Sequence, residues 1–247
     1  MKNLKLLGLS CLLSIYATTA SAELLIDPTD KSSMGEGKVG IFGGMSTVGY
    51  DFGTKDKVYK FKRQYISGYY AYGFSKDIDV FIAGGYIKNT NLDGKGLNTS
   101  GDSGIMYGGG VRGGIVANKI RINWYGQYIV FDEELGSANE LYNYYTYYNT
   151  QKTNYKSELN ELSIGLTAVN TSHGITSYGG VEYIVLSDGK LSQTSTNFSQ
   201  QDDIERYNKL VFRAGARKKI DNILFNINAS LSDNSGSISI GASKKFQ

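Results

Sequence analysis

The stretch from residue 206 to residue 246 constrains the fold most, because its apolar side chains recur at every second position. Successive side chains of a β-strand point to opposite faces, so a period of two predicts strands. The apolar positions form three runs: Leu210, Phe212, Ala214 and Ala216; Ile223, Phe225, Ile227, Ala229 and Leu231; Ile238, Ile240 and Ala242. The breaks between these runs are too short for a crossover helix, so the strands are antiparallel neighbours. Their apolar face meets either a second sheet or a lipid bilayer.

The predicted connections alternate in length along the chain. Seven further strands of the same period precede residue 206, and short turns follow the second, fourth, sixth and eighth strands. Long polar loops are predicted at Lys88–Ser103, Asp132–Asn154 and Ser187–Glu205. An even-stranded meander with this alternation places its long loops at one end, as in outer-membrane barrels. The Greek-key links of a soluble sandwich would break this order.

The N-terminus has the features of a secretory signal peptide. Met1–Lys5 carries two lysines, Leu6–Ile15 is apolar, and Ala20-Ser21-Ala22 forms a small-residue cleavage site. The apolar run is shorter than the ~20 residues that a spanning helix needs. We therefore expect a signal peptide (1–22) that is removed, a polar N-terminal lead (23–37) and a barrel (38–247). The only cysteine, Cys11, lies in the removed segment, so the exported protein is expected to lack disulfides and thiolate metal sites.

Charged side chains fall on the strand faces opposite the apolar stripe. They are Lys38, Asp79, Arg112, Arg121, Glu161, Glu182, Arg213 and Arg217. Unpaired charges are costly to bury in an apolar core. A barrel would place these residues in its lumen, where both signs can pair, and the sequence predicts that arrangement.

The whole chain after the signal peptide resembles the small outer-membrane β-barrels of Gram-negative bacteria, the OmpA-like, OmpX-like and opacity-type proteins of the porin family. The resemblance rests on pattern rather than on one motif. It implies an all-β fold, a transmembrane antiparallel up-and-down barrel of ten strands, with eight as the alternative. It also implies short periplasmic turns, long extracellular loops and residence in the outer membrane after export through the inner membrane.

Such barrels end in an aromatic residue that the assembly machinery reads, preceded by apolar residues at alternate positions. The residues that fit this signal are Ile238, Ile240, Ala242 and Phe246, whereas Lys244 and the terminal Gln247 depart from it. The partners implied by the resemblance are the barrel-assembly machinery, outer-membrane lipid and lipopolysaccharide. Removing Lys2 and Lys5 lowers the formal net charge from +3 to +1, so no nucleic-acid partner is expected.

Enzymatic function is not expected. Enzymatic outer-membrane barrels use histidine as a base, and the single histidine, His173, lies in a predicted short turn at the end opposite the long loops. The glycine pairs lie inside predicted strands, and none of them opens a helix as a nucleotide-binding motif requires. We therefore expect no catalytic residue, cofactor or metal ion.

The longest predicted loop is unusually rich in tyrosine. It contains Tyr142, Tyr144, Tyr145, Tyr147 and Tyr148. Exposed tyrosines provide large contact areas at low entropic cost, which favours a recognition surface for an extracellular ligand. The alternative is that the segment extends a hairpin whose rings meet the lipopolysaccharide layer. For the whole protein we expect a structural or surface-interaction role, with a narrow porin-like channel for small polar solutes or ions as the alternative.

Overall fold

The computed structural model describes residues 26–29, 32–51, 58–94, 97–99, 101–117, 120–144, 147–196 and 198–246. The predicted signal peptide (1–22) and Tyr145 lie outside these residues. Nearly all of the described chain is β-strand, and the described residues include no helix. Accordingly, the described part of the chain contains no helix long and apolar enough to cross a membrane.

The described residues form twelve strands. Their bounds are β1 Gly37–Asp51, β2 Val58–Gly73, β3 Ile78–Gly94, β4 Leu97–Asn98, β5 Asp102–Ala117, β6 Ile120–Tyr144, β7 Tyr147–Ser172, β8 Ile175–Thr194, β9 Ser199–Arg206, β10 Leu210–Ile220, β11 Ile223–Ser232 and β12 Ser235–Phe246. The predicted all-β class is confirmed.

All strand pairings are antiparallel, and they close the sheet into a barrel. The order is β10-β11-β12-β1-β2-β3-β5-β6-β7-β8, with β8 pairing back to β10. The two remaining strands lie in segments that the sequence predicts to be loops: β4 pairs with β3, and β9 pairs with β8 and β1. The structure therefore confirms the antiparallel barrel but has twelve strands where ten were expected.

The prediction of long polar loops was wrong over much of its extent. β3 continues to Gly94, β6 and β7 form one hairpin that extends to Tyr144 and Tyr147, and β8 continues to Thr194 before β9 begins. These segments were predicted to be loops because their composition is polar. A strand can form without apolar side chains on its outer face. The backbone amide and carbonyl groups of β6 and β7 satisfy each other along the whole length of the hairpin.

The barrel narrows toward its long-hairpin end. β8 pairs with β10 through Tyr183 and with β9 from Gly189, while β1 pairs with β12 through Thr47 and with β9 at Tyr50. Ten strands thus surround the interior at the short-turn end, and eight surround it at the long-hairpin end. Gly49 lies at the fork, where its amide donates to Ser235 Oγ (3.0 Å) and its carbonyl accepts from the amide of Tyr207 (3.0 Å).

Candidate functional site

The polarity of β6 inverts along its length. Its outward residues are first apolar (Ile122, Trp124, Tyr128, Val130) and then charged (Asp132, Glu134). Its inward residues are first polar (Asn123, Gln127) and then mainly apolar (Ile129, Phe131, Leu135), with Glu133 as the exception. The alternation of side chains continues without a break, so even-numbered residues point outward and odd-numbered residues point inward on both sides of the change. Only the polarity of the two faces is reversed.

β7 inverts at the same level. Its outward residues Leu162, Ile164 and Leu166 are exposed and apolar, and the next outward residues toward the hairpin tip are Asn160, Glu158 and Lys156. The register pairs Tyr128 with Leu162 and Val130 with Asn160, which aligns the two boundaries. Lys156 forms ion pairs with Asp132 and Glu158, and all three side chains are substantially exposed. Hydrogen bonds to Asp132 and then to Glu158 raise the pKa of Lys156.

The inversion divides the barrel into two parts. We call the outward apolar surface below Val130 and Asn160 the band, and the strand segments beyond it the tower. Exposed tyrosines mark the upper part of the band on four strands: Tyr86, Tyr107, Tyr128 and Tyr183. An apolar band of this kind with aromatic residues at its edge is typical of membrane-spanning barrels.

Pairs of opposite charge fill the interior. Four arginine–carboxylate contacts with both partners buried occur among the described residues: Arg112–Asp79, Arg213–Glu182, Arg206–Glu161 and Arg63–Glu133. The Arg112 pair is bidentate, with Nε 2.7 Å from Asp79 Oδ1 and Nη2 2.7 Å from Oδ2. Tyr50 Oη links two of the pairs, since it donates to Glu161 (3.1 Å) and accepts from Arg63 Nη1 (3.5 Å).

The structure places the eight predicted lumenal charges on the inner side of the barrel wall. Six of them are buried: Lys38, Asp79, Arg112, Glu161, Glu182 and Arg213. The other two are half-buried. Arg121 Nε donates to Asn123 Oδ1 (3.1 Å), and Arg217 Nη1 lies 3.9 Å from Asp27 Oδ2.

Sequence reasoning missed Arg63, Glu133, Arg206 and Asp27. Arg63 lies in a strand whose alternation is blurred by inward-facing tyrosines. Glu133 lies in a segment predicted as a loop, and Arg206 directly follows another. A signal was nevertheless present in β6. Extending the odd-numbered inward positions past Val130 places Phe131, Glu133 and Leu135 inside, where they are found.

The N-terminal lead folds into the barrel at its short-turn end. Its described residues Ile26, Asp27, Thr29 and Ser32 are fully buried. Arg112 Nη1 donates to the carbonyl oxygen of Asp27, and the Ser32 amide donates to Asp79 Oδ2 (2.8 Å). The Asp27 carboxylate accepts from the amide (2.8 Å) and hydroxyl (2.7 Å) of Thr29, which closes a local turn. These buried residues of the lead therefore occupy the lumen at this end.

Inward aromatic rings lie directly across from glycines on the neighbouring strand. The cross-strand pairs are Gly40–Tyr69, Gly44–Tyr65, Gly165–Tyr125, Gly215–Tyr178 and Gly241–Phe42. A methyl group at any of these glycines would collide with the ring or hydroxyl of its partner. Glycine leaves room for each ring against the neighbouring strand, as expected where strands curve tightly.

The tower has an apolar core of its own. Buried inward residues that contribute to it include Leu92, Phe131, Leu135, Tyr155, Leu159, Leu191 and Ile204. Arg63 lies at its base, with its guanidinium carbon 4.4 Å from the centre of the Phe131 ring. Eight strands enclose an interior that side chains can fill, and here they fill it.

The remaining predicted residues lie at the two ends of the barrel. Tyr142, Tyr144, Tyr147 and Tyr148 belong to the paired tips of β6 and β7. On β12, Ile240 and Phe246 are exposed, and Ile238 and Ala242 are half-buried. His173 has a positive φ of 52° and forms the β7–β8 turn with Gly174, and its Nδ1 lies 2.7 Å from Ser172 Oγ on the exposed surface.

Solved structures of outer-membrane proteins are similar in fold. The outer membrane protease OmpT from Escherichia coli matches with a TM-score of 0.56 and 10% identity, covering 89% of this chain and 99% of that one. The chain has the fold of an outer-membrane β-barrel. The transport unit of the autotransporter AIDA-I from Escherichia coli matches with a TM-score of 0.48 and 13% identity, covering 95% and 97% of the two chains. The translocator domain of the autotransporter NalP from Neisseria meningitidis gives 0.47 and 12%, covering 88% and 90%.

These likenesses concern the fold alone, because sequence identity is low. No protein-family model matches the chain, and no curated protein matches it. The resemblance predicted from the alternation and the connection lengths is confirmed at the level of the fold.

Proposed function

We propose that the protein is a non-conducting outer-membrane barrel that presents its tower outside the cell as a structural and surface-interaction element. The band lies in the membrane, the short turns face the periplasm, and the chain arrives there after export and removal of its signal peptide. The observation that carries the proposal is the filled interior, which extends from the N-terminal lead through the ion pairs to the apolar core of the tower.

Conduction is disfavoured at each level of the lumen. At the short-turn end, Asp27 and Ser32 contact Arg112 and Asp79. Above them the charges neutralise one another in buried pairs, and a passing ion would have to separate them without compensating hydration. In the tower an ion would meet closely packed and mainly apolar side chains such as Leu135 and Leu159.

The β6–β7 hairpin is the element best placed for contact with other molecules. From Glu134 outward, β6 pairs with β7 alone in the described sheet. The residues from Phe131 to Tyr144 project about 45 Å along the strand at ~3.3 Å per residue. The tyrosine-rich sequence of the tip suits recognition, because tyrosine offers contact area with few rotatable bonds.

Planar-bilayer recording tests the absence of conduction. Refolded protein that migrates faster unheated than boiled on an SDS gel is expected to give no discrete conductance steps. Reproducible steps would contradict the proposal and favour the porin-like alternative.

A shortened hairpin tests the interaction role. Residues 139–152 are replaced by Asn-Gly, which closes the paired residues Ala138 and Thr153 with a two-residue turn. Cells displaying the intact protein are expected to bind members of an array of immobilised matrix proteins and glycans, and cells displaying the shortened variant are expected to lose that binding while the barrel remains heat-modifiable. Equal binding by both would contradict a role for the tip.

A further inference from the structure

A groove lies on the outer wall where the barrel changes from ten strands to eight. Its volume is about 490 Å³. We call it the fork groove, and its lining residues are Lys60, Phe212, Leu231, Ser232, Asp233 and Asn234.

The groove arises because β11 and β12 end before their neighbouring strands do. β11 and β12 are joined at Asp233 and Asn234, and the positive φ of Asn234 (59°) fits a tight hairpin turn. The flanking strands β1 and β2 continue past this turn to Asp51 and Val58. The β11–β12 turn therefore forms the base of the groove, and the longer strands β1 and β2 form one of its sides.

The lower part of the groove is continuous with the band. Phe212 and Leu231 are cross-strand partners, and both are exposed on the outside of the barrel. The neighbouring outward residue Leu210 pairs with Tyr183, one of the tyrosines that mark the upper band. An acyl chain lying against the band at this level would extend over Phe212 and Leu231 without leaving the apolar phase.

The upper part of the groove is polar and contains a cation. Lys60 is half-buried, and within the described residues it has no carboxylate partner. Its neighbour Lys62 differs, since its ammonium group lies 2.6 Å from Asp93. Asp233 is exposed on the turn, where solvent and salt screen its charge.

We infer that the fork groove binds a phosphorylated glycolipid of the outer leaflet. One acyl chain lies over Phe212 and Leu231, and a phosphate accepts a hydrogen bond from the ammonium group of Lys60. The site fits an amphiphile because apolar and cationic surfaces adjoin at the edge of the band. The inference rests on the proposed membrane placement, but it is independent of whether the tower binds an external ligand.

Anisotropy of fluorescent diphosphoryl lipid A in non-ionic detergent tests the site on the folded full-length protein. Saturable binding is expected, and the dephosphorylated form should bind more weakly. Lys60→Ala is expected to weaken binding about fivefold, the upper range for a partly exposed ion pair. Lys244→Ala is the control, because it removes an exposed lysine at the short-turn end, far from the groove, and should leave affinity unchanged.

Two further variants fix the polarity and position of the ligand. Asp233→Asn removes a screened but still repulsive charge and is expected to tighten binding slightly, whereas a cationic ligand would bind this variant more weakly. Leu231→Ala is expected to weaken binding about threefold through lost apolar contact, whereas Ile227→Ala, on the same face of β11, should not. Equal affinity for the dephosphorylated lipid, an equal loss in Lys244→Ala, or weaker binding by Asp233→Asn would each overturn the inference. None of these outcomes depends on conductance or on binding by the tower.

Discussion

Tyr128 donates a hydrogen bond from its hydroxyl to Asn160 Oδ1 across the β6–β7 ladder, at 3.0 Å on the outer surface. Tyr128 lies in the upper band, and Asn160 is the first polar outward residue on β7. An aromatic ring with a polar tip suits a boundary between an apolar and an aqueous phase. The bond therefore marks the level at which the outer surface changes from lipid-like to water-like.

Breaking one buried ion pair is expected to destabilise the barrel strongly. Arg63→Met leaves Glu133 fully buried without its arginine partner, which typically costs about 3–5 kcal/mol of unfolding free energy. The double variant Arg63→Met/Glu133→Gln should recover most of this loss, because no uncompensated charge remains. Urea unfolding in detergent, followed by fluorescence of the single tryptophan, Trp124, measures both.

Lys62→Met provides the matched control for that measurement. The Lys62–Asp93 pair is on the surface, with side chains 52% and 42% exposed, so its loss should cost less than about 1 kcal/mol. A loss in Arg63→Met as small as that in Lys62→Met would contradict a tightly packed lumen.

The glycine–aromatic pairs should be intolerant of a methyl group. The added methyl of Gly215→Ala meets the Tyr178 ring, and overpacking of this kind typically costs about 1–3 kcal/mol. Gly179→Ala on the adjacent strand is the control, since its methyl group would find only the Arg213 carbonyl oxygen at 3.8 Å. The same unfolding assay compares them, and equal stability would show that the lumen can accommodate the methyl group.

The pKa of Glu36, at the short-turn end, should lie below the usual range of a glutamate. Partial burial opposes ionisation, but hydrogen bonds from Lys245 Nζ (2.8 Å) and the Ser33 amide (2.7 Å) outweigh it and lower the pKa of Glu36. A carboxyl group whose pKa is lower in the folded state stabilises the protein at pH values above its unfolded-state pKa. This stabilisation is lost as the pH falls through the folded-state pKa.

Carbon-13 NMR titration of the Glu36 carboxyl measures this effect. Lys245→Ala should raise the pKa, while Lys244→Ala, which removes the adjacent exposed lysine, should not. An unchanged pKa in Lys245→Ala would show that the ion pair does not persist in solution.

The sequence predicted the band well because lipid imposes a simple pattern. Val39, Ile41 and Met45 alternate with Lys38 and Phe42, and the structure exposes the first three and buries the other two. The strands of the tower were not predicted because their outer face is exposed to water and is therefore polar. Residues such as Glu158 and Lys156 suggest a loop when their inward neighbours are overlooked.

Other features depend on contacts distant in sequence. The Asp27 carbonyl meets Arg112 across 85 positions, and Tyr50 meets Glu161 across 111. No local pattern indicates that a polar lead enters the lumen, or that β9 returns to pair with β1. Such features follow from the closed ring, which brings distant strands into register.

Site-directed spin labelling along β6 tests the polarity inversion most directly. Cys11 is the only native cysteine and lies in the predicted signal peptide, so single cysteines can be introduced at the outward positions 122, 126, 130 and 134 in liposomes. Labels at the first three are expected to be accessible to oxygen from the lipid phase, and the label at Glu134 to an aqueous nickel reagent. A label at inward Leu135 should be accessible to neither. Aqueous accessibility at all four outward positions, or oxygen accessibility persisting at Glu134, would contradict the boundary at Tyr128 and Asn160.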